Sequence, residues 1–191
     1  MRMTAIEKRF VNDPRHTVQV AHRAQRLLDR IDFQPGSRYL DVGCGVGASA
    51  YEVAKVRALD VTGVDVDPKQ IEAARARRAN PQPRFEAMDA TELRFDNAEF
   101  DIVASSMATH HIPLWERAFS EMIRVLRPGG YLIYTDFIFP AWLAATGRRV
   151  FPFAGLPSRR RVQSLASKPL LTELYQSRSG LVYDFIWLRN S

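Results

Sequence analysis

A chain of 191 residues, 46% hydrophobic and 25% charged, has the make-up of globular material with enough apolar mass for one sizeable core. Its single cysteine, Cys44, excludes an internal disulfide and a cysteine-built metal cluster, and its longest apolar region, residues 137–147, is about half the roughly 20 residues a membrane-spanning helix needs. A reducing, cytoplasmic setting is expected. The net charge of +6 is local, because no acid lies between Asp136 and Glu173, where Arg148, Arg149, Arg159, Arg160, Arg161 and Lys168 supply the whole excess.

Residues 1–14 read as irregular, with Asn12-Asp13-Pro14 as a turn or helix-start signal. From Arg15 to Arg30 the apolar residues Val20, Ala24, Leu27, Leu28 and Ile31 recur at helical spacing, leaving Arg23, Arg26, Asp29 and Arg30 on the outer face. Pro35-Gly36 ends this helix, and Arg38 to Val42 is the first strand. That strand breaks into Gly43, Gly45 and Gly47, spaced two apart, before a helix that starts near Ala48. Glycines let the backbone turn sharply and leave bare peptide groups for a ligand to lie against. The free N–H groups of the helix point back at the turn and favour a carboxylate or phosphate. A nucleotide-type cofactor is implied, but not which one. Gly43, Gly45 and Ala48 also satisfy the dinucleotide fingerprint, and Asp65 lies 20 residues beyond Gly45, where that fingerprint places its ribose-binding acid.

Val61 to Val64 is the second strand, bounded by Asp65-Val66-Asp67-Pro68, and Lys69 to Asn80 the helix after it, with Pro68 suited to its first turn. Asn80-Pro81-Gln82-Pro83 breaks the chain before a third strand, Arg84 to Met88, that ends at Asp89-Ala90. Phe100 to Ser105 is the fourth strand. Pro113 opens a helix whose apolar stripe is Trp115, Ala118, Phe119, Met122, Ile123 and Leu126, and after Pro128-Gly129-Gly130 comes the fifth strand, Tyr131 to Phe137. Strands alternating with helices predict an α/β, doubly wound, mostly parallel Rossmann-like sheet. Beyond it, Leu171, Leu174 and Tyr175 favour a helix over Lys168 to Ser179, closed by Gly180, and Leu181 to Leu188 alternates like a sixth strand. A seventh strand is then expected to be absent. A hairpin around Ser177-Arg178-Ser179-Gly180 is the other reading.

The turn around Asp41-Val42-Gly43-Cys44-Gly45 resembles the first motif of the class I S-adenosylmethionine-dependent methyltransferases. Phe100-Asp101-Ile102-Val103 followed by Thr109-His110-His111-Ile112-Pro113, and Arg124-Val125-Leu126-Arg127-Pro128-Gly129-Gly130, resemble the fourth- and fifth-strand signatures of small members similar to the ubiquinone and menaquinone biosynthesis enzymes. Thr109 stands where that signature has leucine. The resemblance covers residues 36–137.

It implies S-adenosylmethionine as cofactor, held by Asp41 and the turn residues Gly43, Cys44, Gly45 and Gly47, by Asp65 and Val66 at the ribose, by Asp89 and Ala90 at the adenine, and by Ser105 at the end of the fourth strand. An ionised carboxylate at Asp65 has the acceptors to take both ribose hydroxyls. His110 and His111 follow the fourth strand and are candidates for a general base, where the acceptor must lose a proton. No metal is expected, since no His, Cys or carboxylate group has metal spacing. The chain divides as a single domain: residues 1–34 a helical cap, 35–137 the cofactor-binding core, and 138–191 a basic, substrate-side segment with the last helix and strand. Arginines mixed with Phe137, Phe139, Trp142, Phe151 and Phe153 suit a small, anionic or lipid-like acceptor or the surface of a membrane, and nucleic acid is disfavoured. A monomer or homodimer is expected. Two other classes stay open: a nicotinamide-dependent oxidoreductase, and a non-catalytic protein that keeps the fold and binds polyanions.

Overall fold

The computed structural model describes residues 14–77, 80, 82–144, 155–167 and 170–191. Asn12-Asp13, Pro81, and Arg148, Arg149, Phe151, Phe153 and Lys168 of the basic segment lie outside the described residues. In chain order the elements are α1 (Pro14–Leu28), β1 (Arg38–Val42), α2 (Ala48–Arg57), β2 (Asp60–Asp65), α3 (Pro68–Ala76), β3 (Arg84–Ala87), β4 (Phe100–Ser106), α4 (Trp115–Val125), β5 (Leu126–Phe137), α5 (Arg159–Leu165), β6 (Leu171–Ser179) and β7 (Val182–Arg189). Pro14 takes the first position of α1, where a missing N–H costs nothing. Asp67 caps α3 by accepting the Lys69 N–H at 3.0 Å, and Pro68 follows it. That helix stops at Ala76, earlier than the helix formers up to Asn80 suggest.

The strands form one sheet in the order β3-β2-β1-β4-β5-β7-β6, parallel from β3 to β5 and antiparallel from β5 through β7 to β6. Alternation along each strand sends successive side chains to opposite faces. Tyr39, Ile102, Ile133 and Ile186 meet Leu27 and Leu28 of α1, Val53 of α2 and Ile71 of α3 on one face. Leu40, Val103, Leu132 and Trp187 meet Trp115, Phe119 and Met122 of α4 on the other. Both faces are therefore covered, as a parallel sheet requires.

The seventh strand is present, which corrects the expected helix over 168–179. Leu171, Leu174 and Tyr175 belong to β6, and the chain turns at Gly180 (φ 62°) into β7. Their helix-like spacing comes from a β-bulge: Glu173 pairs with Trp187 and Tyr175 with Ile186, so Leu174 is the extra residue. Leu171 accordingly packs into the α4 side of the core and Tyr175 against the α1 side, while Leu174 stays exposed. A regular strand would have put Leu171 and Tyr175 on one face.

Trp187 is 1% exposed and stacks on Phe185 with ring centroids 4.7 Å apart. Trp187→Ala is expected to lower the unfolding free energy by about 3–5 kcal/mol in a denaturant titration. A loss below about 1 kcal/mol would show that the hairpin does not belong to the cooperative core.

Candidate active site

Strand order reverses direction between β1 and β4, and in open α/β sheets the ligand crevice lies beyond the carboxyl ends of the strands at such a point. A cavity of about 340 Å³ opens there. Asp41, Gly43, Cys44 and Gly45 line it from β1 and its turn, Asp65 and Val66 from the end of β2, and Asp89 and Ala90 from beyond β3. Met107, Ala108 and His111 line it after β4, and Val20 reaches it from α1. Eight of the ten residues expected at the cofactor are thus brought together.

The turn is held by its own backbone. The N–H groups of Gly43 and Cys44 donate to the Val64 carbonyl at 2.8 and 3.0 Å, and that of Gly45 to Asp65 Oδ2 at 3.0 Å. The Asp67 N–H donates to Asp65 Oδ1 at 2.9 Å, so one carboxylate fixes both the glycine turn and the start of α3. Gly43 has φ 79°, and a Cβ there would lie 2.4 Å from that of Ala108. Asp89 is exposed and holds its own loop, accepting the N–H and hydroxyl of Thr91, both at 2.8 Å.

Two expected residues lie elsewhere. Gly47 does not line the cavity. It has φ 74° and precedes α2, and a Cβ there would lie 2.6 Å from the Phe85 ring, so its bareness serves packing. Ser105 is 1% exposed and donates to the Val42 carbonyl at 3.0 Å, tying β4 to β1, while its neighbour Ser106 lines the cavity.

Asp41 is 3% exposed, and its Oδ2 has no hydrogen-bond partner among the described residues. Burial, with the Asp65 carboxylate second, pushes its carboxyl up to about 7. Burial and the same two carboxylates push the Cys44 thiol well above its ordinary range, which leaves it inert as a nucleophile.

His110 and His111 fall in a 3₁₀ turn, Thr109–His111, directly after β4, with ring centroids 4.0 Å apart. His111 lines the cavity and His110 does not. His110 is instead fixed by Asp136, which lies fully buried near the end of β5. His110 Nδ1 is 2.5 Å from Asp136 Oδ1, and the Phe137 N–H donates to the same oxygen at 2.7 Å. Oδ2 accepts the Thr109 N–H at 2.7 Å and the Thr109 hydroxyl at 2.5 Å, and Tyr134 in turn lies 2.6 Å from that hydroxyl. Thr109, the departure from the Leu-His-His signature, is what reaches Asp136. Asp136 was legible as a polar residue closing the fifth strand, by the rule that singled out the ends of the first four.

Gly155 packs over this turn, where a Cβ would lie 2.2 Å from the Thr109 carbonyl and 2.4 Å from that of Ile112. Arg161 of α5 then pairs with Glu116 at 2.8 Å, and Arg159 with Gln176 at 3.3 Å. Among the described residues, the basic segment covers the histidine turn without lining the cavity.

A family profile described as "Methyltransferase domain" matches residues 40–134. The chain is 39% identical over 132 residues to the 27-O-demethylrifamycin SV methyltransferase of Amycolatopsis mediterranei, covering 65% of this chain and 48% of that protein. It is 40% identical over 102 residues to the phthiotriol/phenolphthiotriol dimycocerosates methyltransferase of Mycobacterium leprae, covering 53% of this chain and 38% of that protein. It thus matches about half, or less, of the length of these curated relatives. Geranyl diphosphate C-methyltransferase from Streptomyces coelicolor A3(2) superposes with a TM-score of 0.73 over 94% of this chain and 86% of that one, at 17% identity, a likeness of fold alone.

Sheet order and cavity thus define the class I methyltransferase fold, Rossmann-like with an antiparallel last pair. Together with the matched domain, they place this chain among the class I S-adenosylmethionine-dependent methyltransferases, whose cofactor is S-adenosylmethionine. The residues present suit that cofactor. Asp41, Asp65, Asp67 and Asp89 line the cavity with no lysine or arginine among them, a seat for a sulfonium and an ammonium. The same acids repel a dinucleotide's pyrophosphate.

The raised Asp41 carboxyl links stability to pH. The folded protein holds its proton up to about 7 whereas the unfolded chain releases it near 3.8, so the stability present at low pH is lost as pH rises between those values. Without ligand, the wild type is expected to lose about 1.4 kcal/mol per pH unit from pH 5 to 7 relative to Asp41→Asn, in paired denaturant titrations. Parallel profiles would place the ordinary, lower pKa on Asp41.

Proposed function

We propose that this protein transfers the methyl group of S-adenosylmethionine to a hydroxyl or enol oxygen of a small, anionic or lipid-like acceptor. The cofactor supplies an electrophilic methyl on a sulfonium, and the chain has to bind, align and deprotonate. Asp65 is the acceptor for the ribose hydroxyls, Asp89 and the Ala90 N–H for the adenine edge, and Asp41 with the glycine turn for the methionine end. Val66, Cys44 and the bare Gly43 and Gly45 shape the wall around them.

The observation that carries the choice of oxygen is the histidine turn: His111 lines the cavity, and His110 beside it is fixed by Asp136. A carboxylate hydrogen-bonded to Nδ1 orients the His110 ring and, through the 4.0 Å ring contact, the His111 imidazole beside it. An amine acceptor needs no such base once neutral, whereas a hydroxyl must lose its proton on or before transfer. His111, in ring contact with His110 and lining the cavity, is the imidazole that takes the proton, with His110 and Asp136 positioning it. The curated relatives named for 27-O-demethylrifamycin SV and for phthiotriol/phenolphthiotriol dimycocerosates support a small-molecule or lipid-like acceptor. The lone, buried Cys44 suits a reducing, cytoplasmic setting. No described helix is long and apolar enough to cross a membrane, and the exposed Trp142 and Arg160 suit contact with a membrane surface.

The test is methyl transfer from labelled S-adenosylmethionine to a panel of phenols, enols and hydroxy acids. Asp136→Asn is expected to lower kcat by about 10²–10⁴ with unchanged S-adenosylhomocysteine affinity. Loss of that affinity would place Asp136 in the cofactor site, and an unchanged kcat would remove the histidine turn that it positions as the source of the base.

A further inference from the structure

A second cavity, of about 370 Å³, lies beside the first and shares Val20, Ser106 and Met107 with it. Its charge is opposite. His22, Arg23 and Arg26 of α1 line it, and no carboxylate does, against the four acids of the first cavity. At i, i+1 and i+4 these three side chains share one flank of the helix, turned toward the ends of β4, β5 and β7 through Met107, Thr135 and Val182. They are not simply the solvated outer face that helical spacing suggests.

Arg23 is preset. Its Nε lies 3.3 Å from Asp184 Oδ1, which also accepts the Thr135 hydroxyl at 2.8 Å, while Asp184 Oδ2 accepts that of Ser177 at 2.8 Å. Asp184 is thereby occupied on both oxygens, and its pairing through Nε leaves the terminal nitrogens of Arg23 as a fork. Arg26 has no ion-pair partner among the described residues. Counting Asp184 against Arg23 leaves the positive charge of Arg26 uncompensated, beside an imidazole.

We propose that this second cavity is the acceptor site and that it selects acceptors carrying a carboxylate or phosphate, gripped by Arg23 and Arg26. The acceptor role rests on the methyl transfer proposed above; the anion site itself does not. An anionic group on the two guanidiniums places the rest of a small molecule toward the neck made by Val20, Ser106 and Met107, the one place where the two cavities have walls in common. Met107 holds φ 55°, an uncommon conformation for a side chain of that size, with its N–H bonded to the Thr135 carbonyl at 2.8 Å. That fixes the shape of the neck between donor and acceptor. Opposite charges on either side of it match a cationic donor to an anionic acceptor and disfavour exchange of the two.

The experiment titrates protein saturated with S-adenosylhomocysteine with benzoate, phenyl phosphate and the neutral isostere benzamide, by calorimetry. Benzoate or phenyl phosphate is expected to bind, and benzamide at least about tenfold more weakly, the scale of one lost charged hydrogen bond. Arg26→Gln, which leaves the Arg23–Asp184 pair intact, is expected to weaken the anions about tenfold and to leave S-adenosylhomocysteine affinity unchanged. Arg23→Gln should do the same, and Arg26→Gln keeps the test open if it fails to fold. Comparing benzoate with phenyl phosphate distinguishes carboxylate from phosphate. Equal binding of benzoate and benzamide, no binding of either anion, or no effect of Arg26→Gln overturns the proposal. Failure of the methyl-transfer reading looks different: anions bind, but no acceptor is methylated.

Discussion

Two carboxylates on neighbouring strands, Asp41 and Asp65, set the conditions that the rest of the site satisfies. Asp65 is stabilised by two N–H donors, from Gly45 and Asp67, and so holds the glycine turn and the start of α3 in one geometry. Asp41 has a buried oxygen with no donor and is pushed up to about 7 by burial and by Asp65. A buried polar atom left in this state costs free energy that a complementary ligand can return. A cation seated there would restore the charged form, so binding of a sulfonium or ammonium releases a proton and strengthens as pH rises. The strain of the apo protein is thus part of its selectivity.

Asp136 plays the opposite part. Every lone-pair direction of its carboxylate is drawn on by donors from Thr109, His110 and Phe137, so it is fully buried at little cost. The outcome is rigidity: the turn after β4, which carries both histidines, cannot shift without breaking bonds to β5. Gly155 then covers that turn at a distance only a residue without Cβ allows. In this way the fourth and fifth strands fix His110 in the turn whose other histidine, His111, lines the cavity.

The sheet from β1 to β5 was legible because its strands alternate or run apolar between glycine and proline breaks, and its helices carry stripes at helical spacing. The acids at the strand ends followed from the same pattern. The hairpin was legible only as the second reading, with its turn at residues 177–180, because the bulge at Leu174 turns a period of two into the i, i+3, i+4 spacing of a helix at Leu171, Leu174 and Tyr175. Ser105 and Gly47 show the limit of position rules. A strand-end serine can face the core as well as the ligand, and a glycine of the turn can be required by Phe85 beneath it. Arg23 and Arg26 were legible as polar positions, but helical periodicity identifies only the buried stripe. Which flank meets a cavity depends on how the helix is rotated against the sheet, and for α1 that is set by Leu27, Leu28 and the contact of Arg30 with the Tyr175 ring at 4.1 Å, on a strand whose spacing favoured a helix.

The net charge of +6 therefore misleads about where charge does its work. The arginines that dominate the count lie in the segment after β5, and Arg159 and Arg161, where described, are engaged with Gln176 and Glu116 on the surface. Such exposed contacts are screened by solvent and contribute little to stability. The charges that shape recognition are few and lie outside that segment: four acids in one cavity, two arginines and a histidine of α1 in the next, with three residues shared between them. Since like charges in one cavity destabilise the empty protein, each cavity is most stable when holding its opposite. Donor and acceptor bound together would screen both sets of charges at once, so occupancy of one cavity favours occupancy of the other through the field they share.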